Sequence, residues 1–279
     1  MMHAKITASA AGSVRIGDLT VHRMGFGAMR ICGQGVWGPP KDRPNALAVL
    51  ERALELDVDF IDTADSYGPN VSEELIAQAL YPYPKQLVIA TKGGMTRSGP
   101  GEWGRDCRPE RLRACLEASL KRLRLDRIDV YQLHTVDPKV PWSNQVGVLA
   151  DMQREGKIRH VGLCNVDLEH LEQARAVVDI VCVQNRYNIN DRQSEPVLEY
   201  CEHHRLAFIP WFPLNAGDIE RIGAQAALAW LLQRSPIMLP IPGTQSLRHL
   251  EENVAAAALR LSAQEYAALD NLAGGGKPA

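Results

Sequence analysis

Short apolar runs alternate with longer amphipathic runs along most of the chain. The short runs are rich in Val and Ile, and several end in a polar residue or Gly, which is typical of strands buried on both faces. They are MGFG (24–27), FID (60–62), LVIAT (87–91), IDVYQLH (128–134), IRHVGLCN (158–165), IVCVQ (180–184), LAFIPWF (206–212) and IMLPIPG (237–243). The pattern therefore predicts eight strands.

Segments with the helical period lie between these runs. They include ALAVLERALEL (46–56), RPERLRACLEASLKRL (108–123), VGVLADMQREG (146–156) and AALAWLLQR (226–234). Ser72 followed by two glutamates predicts the start of a further helix, because negative charge is favoured at a helix N-terminus.

Eight strands alternating with helices predict an α/β fold, namely a closed (β/α)₈ TIM barrel formed as a single domain by residues 1–279. A doubly wound sheet is the alternative, but the strand number and the lack of GxGxxG after the first strand favour the barrel. Before the first strand, the turn-like IGD at 16–18 predicts a short N-terminal hairpin at the bottom of the barrel.

Composition narrows the classes of function. The 279 residues are 46% hydrophobic and 23% charged, with a net charge of −2, so nothing indicates binding to nucleic acid or to an anionic membrane. No apolar run reaches the about 20 residues of a membrane span, and the N-terminus lacks the apolar region of a signal peptide. The six cysteines form no C-x-x-C pair, so we expect no metal site and a reducing cytoplasm as the location. We expect a monomer or a weak homo-oligomer.

Ionisable residues occur where neighbouring predicted strands end. Asp62 ends the second strand, and Tyr67 follows it in a loop. Lys92 follows the third strand, and His134 ends the fourth. Active sites of such barrels lie at the carboxyl ends of the strands, so these side chains should share one mouth. Taken singly, each residue has an ordinary structural interpretation: a turn carboxylate, a rim aromatic, a loop lysine and a structural histidine, respectively. Only their common placement at the strand ends favours a catalytic role.

The four side chains together suit carbonyl reduction. Tyr67 can act as a general acid, a neighbouring Lys92 ammonium favours the phenolate, and Asp62 keeps that lysine charged. His134 can hold a substrate oxygen by a hydrogen bond. Because no side chain carries a hydride, a nicotinamide cofactor is implied.

The chain resembles the aldo-keto reductase superfamily over almost its whole length. The motifs that carry the resemblance are FIDTADSYG, IATKGG, DVYQLHTVDP, EGKIRHVGLCNV, CVQNRYN and LPIPGTQSLRHLEEN. The resemblance implies a (β/α)₈ barrel that reduces aldehydes or ketones with NAD(P)H. It also implies that Tyr67 is the proton donor, that Lys92 and Asp62 tune it, and that His134 orients the carbonyl.

The same resemblance implies a set of cofactor-binding residues. In it, Asn165 and Gln184 hold the carboxamide, Trp211 stacks on the nicotinamide ring, and Glu252 with Asn253 holds the adenine. The full set is Gly27, Met29, Asp62, Cys164, Asn165, Gln184, Trp211, Phe212, Pro213, Leu214, Ile241, Gly243, Thr244, Gln245, His249, Glu252 and Asn253.

The sequence departs from the family pattern at three places. Relatives often carry Lys or Arg where Gln245 or His249 stands, which weakens a preference for NADPH; we still expect NADPH, with NADH as the alternative. Cys164 replaces a common serine, and its thiol is a weaker donor. The segment 215–225 is short for a full helix, so either the cofactor is more exposed than in relatives or residues are missing from the chain.

Two loops above the predicted mouth should select the substrate. GQGVWGPPKDR (33–43) carries Trp37, and TRSGPGEWGRD (96–106) carries Trp103 among cations. Aromatic walls with cations suit a flat ring, with a phenolate or a phosphate as a candidate substituent. The stretches GVWGPPKDR and ALYPYP resemble those of bacterial reductases related to pyridoxal reductase, so reduction of pyridoxal to pyridoxine is the leading expectation. Two alternatives stay open: a cofactor-sensing regulatory barrel with little catalysis, and a sugar-phosphate lyase or isomerase barrel.

Overall fold

Seven parallel strands form the main sheet of the protein. The computed structural model describes residues 6–214 and 222–272. The sheet strands, in spatial order, are β3 (Phe26–Gly27), β4 (Phe60–Asp62), β5 (Val88–Gly93), β8 (Ile128–Leu133), β9 (Ile158–Cys164), β10 (Ile180–Arg186) and β11 (Ala207–Trp211). All six neighbouring pairs are parallel, as the both-faces-buried apolar runs predict.

The segment 237–241 closes the sheet into a barrel. Phe208 of β11 donates to the Ile237 carbonyl at 3.0 Å, and Leu239 donates back to Phe208 at 2.9 Å. On the other side, Gly25 donates to the Pro240 carbonyl at 3.0 Å. The segment thus occupies the place of the eighth predicted strand. It makes only an isolated bridge, Phe208 to Met238, because prolines at 236, 240 and 242 have no N–H to donate.

A two-stranded hairpin covers the bottom of the barrel, as predicted. Strands β1 (Ser13–Ile16) and β2 (Leu19–His22) pair antiparallel, with Ile16 opposite Leu19 across the Gly17–Asp18 turn. Val14, Ile16 and Val21 are buried in one cluster with inward side chains of the barrel strands. The barrel interior is therefore a packed core that the hairpin covers at this end.

Helices follow the strands and cover the outside of the barrel. They are α1 (Arg43–Glu55), α2 (Val71–Leu80), α3 (Pro109–Leu123), α4 (Trp142–Arg154), α5 (Leu168–Arg175), α6 (Glu195–His204), α7 (Ala224–Arg234), α8 (Leu247–Ala255) and α9 (Ala263–Leu272). Asp42 caps α1 by accepting from the Asn45 amide at 2.9 Å, and Ser246 caps α8. In the described part of the chain, no helix is long and apolar enough to cross a bilayer.

A hairpin at the mouth of the barrel was not predicted from the sequence. Strands β6 (Met95–Gly99) and β7 (Glu102–Arg105) form an antiparallel hairpin within the loop that follows β5. Their side chains are mostly half-buried or exposed, so the hairpin lacks the apolar alternation by which a strand is recognised. It lies beside the mouth of the barrel, where Trp103 contacts Tyr67.

Candidate active site

The four predicted catalytic side chains lie together at the open end of the barrel. Asp62 ends β4, Lys92 is the penultimate residue of β5, and His134 directly follows β8. Tyr67 lies in the loop after β4 and is 6% exposed, while the Lys92 side chain is fully buried. Neighbouring parallel strands end at the same rim, so the order β4, β5, β8 brings these residues together.

The Lys92 ammonium joins the carboxylate to the phenol. Its Nζ donates to Asp62 Oδ2 at 2.6 Å and to the Thr63 carbonyl at 2.8 Å. The same Nζ lies 3.5 Å from Tyr67 Oη and 5.1 Å from the centroid of the Tyr67 ring. The phenol and the ammonium therefore share one pocket.

Two glutamines hold the other oxygen of Asp62. Gln184 Nε2 donates to Asp62 Oδ1 at 2.7 Å, and Gln132 Nε2 approaches the same oxygen at 3.3 Å. Gln132 was not singled out from the sequence. Its signal was its position two residues before His134 in an apolar strand, where a polar side chain must face the same side as the histidine.

Burial and nearby charges determine the protonation states of Tyr67 and Lys92. Burial raises the pKa of Tyr67 above its ordinary value of 10, and the Lys92 ammonium offsets this rise only in part. Burial alone would lower the pKa of Lys92, but the Asp62 carboxylate, together with Tyr67 and Cys164, outweighs it, so this pKa lies above its ordinary 10.5. At neutral pH the phenol is thus protonated beside a charged amine.

His134 is neutral in this pocket. Burial, followed by the Lys92 charge, holds the pKa of His134 well below its ordinary 6.5. Its Nδ1 lies 3.4 Å from Ser66 Oγ, and its ring stands edge-on to Tyr67 with centroids 5.7 Å apart. A neutral imidazole can donate one hydrogen bond without competing with Lys92 for charge.

A chain of hydrogen bonds links the predicted carboxamide and stacking residues to the histidine. Trp211 Nε1 donates to Asn165 Oδ1 at 2.9 Å, and Asn165 Nδ2 donates to the His134 carbonyl at 3.0 Å. Asn165 also donates to Cys164 Sγ at 3.2 Å, and burial raises the pKa of that thiol to about 12, so it stays protonated. The Trp211 indole is therefore held in one orientation beside the mouth.

The first and eighth strands meet at two glycines from the predicted set. A Cβ on Gly27 would lie 2.6 Å from the Ile241 carbonyl oxygen, and a Cβ on Gly243 would lie 2.2 Å from the Gly27 oxygen. Both side chains are excluded by backbone, which explains the two glycines. Met29 packs beside them against the cluster that contains Tyr67.

The predicted adenosine residues lie around the N-terminus of α8. Gln245 Nε2 donates to the Cys32 carbonyl at 2.8 Å, and Thr244 Oγ1 accepts from the Ser246 amide at 3.0 Å. Arg248 forms an ion pair with Glu252 at 2.7 Å, and its other terminal nitrogen lies 2.9 Å from His249 Nε2. The predicted residues Gly243, Thr244, Gln245, His249, Glu252 and Asn253 thus lie on one turn and the following helix.

Phe212, Pro213 and Leu214 continue from β11 past Trp211. Phe212 has a left-handed backbone with φ of 58°, and its carbonyl accepts from Asn188 Nδ2 at 3.1 Å. The expectation for the short segment 215–225 falls largely on residues 215–221, which lie outside the described residues.

Trp37 and Trp103, the two predicted substrate residues, both lie at the mouth. The Trp103 ring stands edge-on to Tyr67 with centroids 6.4 Å apart, and it is 42% exposed. Trp37 forms a bridge with Gly68, the residue after Tyr67.

Comparison with known proteins assigns the family. The Aldo/keto reductase family matches residues 23–222 and 220–273, which is most of the chain. The chain belongs to this family. An uncharacterized oxidoreductase of Schizosaccharomyces pombe is 50% identical to this aldo/keto reductase over 279 residues, covering 95% of this chain and 91% of that protein. Pyridoxine 4-dehydrogenase of Escherichia coli (strain K12) is 40% identical over 282 residues, covering 94% of this chain and 99% of that protein.

A solved structure agrees with the barrel. The crystal structure of an aldo-keto reductase from Klebsiella pneumoniae in complex with NADPH matches with a TM-score of 0.78 at 27% identity, covering 93% of this chain and 94% of that one. The present aldo/keto reductase is thus an NAD(P)H-dependent oxidoreductase.

Proposed function

We propose that this aldo/keto reductase reduces an aldehyde or ketone to an alcohol, with Tyr67 as the proton donor. The observation that carries the proposal is the position of Lys92 Nζ, 2.6 Å from Asp62 and 3.5 Å from Tyr67 Oη. A protonated phenol beside a fixed ammonium can release its proton because the resulting phenolate forms next to a positive charge.

Each side chain has a separate task in the proposed reaction. The hydride comes from bound NAD(P)H. Tyr67 gives its proton to the carbonyl oxygen, Lys92 stabilises the phenolate, and Asp62 keeps Lys92 charged. In the tautomer whose Nδ1 accepts from the Ser66 hydroxyl, His134 carries its proton on Nε2, and this N–H donates a hydrogen bond to the substrate oxygen.

The donors and spaces of the site fit a nicotinamide dinucleotide. Gly27 and Gly243 leave backbone without side chains where the first and eighth strands meet. Asn165 Oδ1 has a second lone pair, and Gln184 Oε1 is free of the Asp62 contact, so both can accept from a carboxamide N–H. The N-terminus of α8 favours an anionic group.

NADPH is the proposed cofactor, and pyridoxal is the proposed substrate. The NADPH complex of the Klebsiella pneumoniae relative supports the first, and the hydrogen-bond donors around α8 agree with it. The name of the Escherichia coli relative, pyridoxine 4-dehydrogenase, supports the second. The aromatic side chains of Trp37 and Trp103 at the mouth suit a flat heteroaromatic ring.

The test is aldehyde-dependent oxidation of NADPH by the purified enzyme, with pyridoxal, 4-nitrobenzaldehyde and propanal, repeated with NADH. We expect turnover of pyridoxal and a higher kcat/KM with NADPH. Turnover of 4-nitrobenzaldehyde but not of pyridoxal would contradict pyridoxal as the substrate. A clear preference for NADH would contradict NADPH as the cofactor. Quenching of protein fluorescence by NADPH without any turnover would favour a sensing barrel, and no quenching would favour sugar-phosphate chemistry.

A further inference from the structure

Three segments meet at the rim of the active site. We call residues 33–38 the rim loop, 63–70 the tyrosine loop and 95–105, with β6 and β7, the rim hairpin. Gly68 of the tyrosine loop donates to the Val36 carbonyl of the rim loop at 3.3 Å, and Gly38 donates to Gly68 at 2.5 Å. Gly101 of the rim hairpin donates to Gly35 at 3.0 Å.

Arg97 lies where the three segments meet. A guanidinium has five N–H donors. Those of Arg97 donate to five backbone carbonyls: Nε to Glu102 at 2.8 Å, Nη1 to Val36 at 2.7 Å and Ser66 at 3.3 Å, and Nη2 to Gly35 at 2.7 Å and Gly99 at 3.2 Å. The acceptors belong to all three segments, so one side chain ties them together.

The same guanidinium lies over the rings of the two rim tryptophans. Its central carbon is 3.8 Å from the centroid of the Trp103 ring and 5.8 Å from that of Trp37. A cation over an indole is attracted by the ring, most strongly at short distance. Trp103 in turn stands edge-on to Tyr67.

We propose that Arg97 is a positioning residue that selects the substrate through Trp103. It joins the rim loop to the tyrosine loop and holds the Trp103 ring beside the phenol, which shapes the mouth for a flat aromatic aldehyde. Because all five donors already have backbone acceptors, Arg97 has no N–H left for a phosphate or a phenolate on the substrate. The proposal rests on the proposed function, because its effect is on aldehyde reduction.

The first test compares Arg97→Met with Arg105→Met, a matched change in the same hairpin. Arg105 makes one hydrogen bond, to the Val136 carbonyl at 3.2 Å. We expect Arg97→Met to raise the KM for 4-nitrobenzaldehyde about tenfold, from loss of the cation–π contact and the loop ties. The KM for propanal and the Kd for NADPH should change less than about twofold. The KM of Arg97→Lys for 4-nitrobenzaldehyde should lie between those of Arg97→Met and the unchanged enzyme, since lysine keeps the charge but has only three donors. Arg105→Met should match the unchanged enzyme.

The second test is a double-mutant cycle with Trp103→Leu. If Arg97 acts through Trp103, Arg97→Met should add little to the KM defect of Trp103→Leu. Effects of the two substitutions that multiply, or an equal loss for propanal and 4-nitrobenzaldehyde, would overturn the proposal.

The two proposals fail in different ways. If the unchanged enzyme reduces no aldehyde, the proposed function is wrong, and near-UV circular dichroism then tests Arg97 alone. We expect the tryptophan bands to weaken in Arg97→Met and to persist in Arg105→Met. Bands unchanged in Arg97→Met would overturn its positioning role.

Discussion

At the residue scale, burial is the largest single influence on the pKa values of Tyr67, Lys92 and His134. The tyrosine was expected to become a stronger acid beside Lys92, yet burial raises the pKa of the phenol further than the ammonium lowers it. The lysine keeps its charge because Asp62 and the neighbouring Tyr67 and Cys164 together outweigh the same burial. The free enzyme therefore holds the proton on Tyr67. In the proposed reaction, Tyr67 gives this proton up only when charge develops on the substrate oxygen.

The lowered pKa of His134 predicts a dependence of stability on pH. In the unfolded chain this histidine takes up a proton near its ordinary pKa of 6.5, whereas in the folded protein it does not. The unfolded state then binds more protons, so the free energy of unfolding decreases as the pH falls below 6.5. At pH 5.5, one unit below this pKa, His134 lowers the free energy of unfolding by about 1.4 kcal/mol.

The contribution of His134 to the pH dependence of stability can be measured by urea unfolding. The unchanged protein and His134→Gln are compared at pH 7.5 and 5.5. The other histidines are common to both proteins, so their contributions cancel in the comparison. The unchanged protein should lose more stability on acidification than the variant does. Equal losses would mean that His134 titrates normally in the fold.

At the scale of elements, the contact between β3 and the segment 237–243 depends on two glycines. Gly27 has an ordinary extended backbone, with φ of −88° and ψ of 111°, so only space excludes a larger residue there. The obstacle is the Ile241 carbonyl, a backbone atom that cannot move aside as a flexible side chain would. Barrel closure and the proposed cofactor site thus depend on the same contact.

Gly27→Ala should therefore be destabilising by about 1–3 kcal/mol, the usual effect of forcing an extra group into packed structure. Gly147→Ala is the matched control, because Gly147 lies inside α4 with nothing within 4 Å of its added Cβ. Alanine is the better helix former, so this control should melt at the same or a higher temperature. A thermal melt of Gly27→Ala no lower than that of Gly147→Ala would show that the strand contact is loose.

Apolar runs predicted the barrel strands well because parallel strands buried on both faces contain little else. The run IMLPIPG also marked the eighth strand, although its prolines prevent a regular ladder. The rim hairpin was missed because its side chains are largely solvated and carry no apolar period. Local pattern could place Gln132 on the same face as His134, but it could not predict the contact of Gln132 with Asp62. Arg97 carried no such signal, since its partners depend on how distant segments come together.

At the scale of the whole molecule, the barrel joins groups that are far apart in the chain. Asp62 and Gln184 are separated by 122 positions, yet their side chains are 2.7 Å apart. Closure by the segment 237–241 places the turn before α8 next to β3. The proposed catalytic pocket and the proposed cofactor site are therefore products of one closed sheet, and the strand order determines which ionisable groups meet.

The most direct measurement of the central claim compares Tyr67→Phe with the unchanged enzyme. The substitution removes the hydroxyl and keeps the ring that packs against His134 and Trp103. We expect kcat for aldehyde reduction to fall by about 10²–10⁴, the usual contribution of a general acid. The Kd for NADPH, from fluorescence quenching, should stay within about twofold. If Tyr67→Phe keeps more than about a tenth of the turnover, another group supplies the proton and this account of the site is wrong.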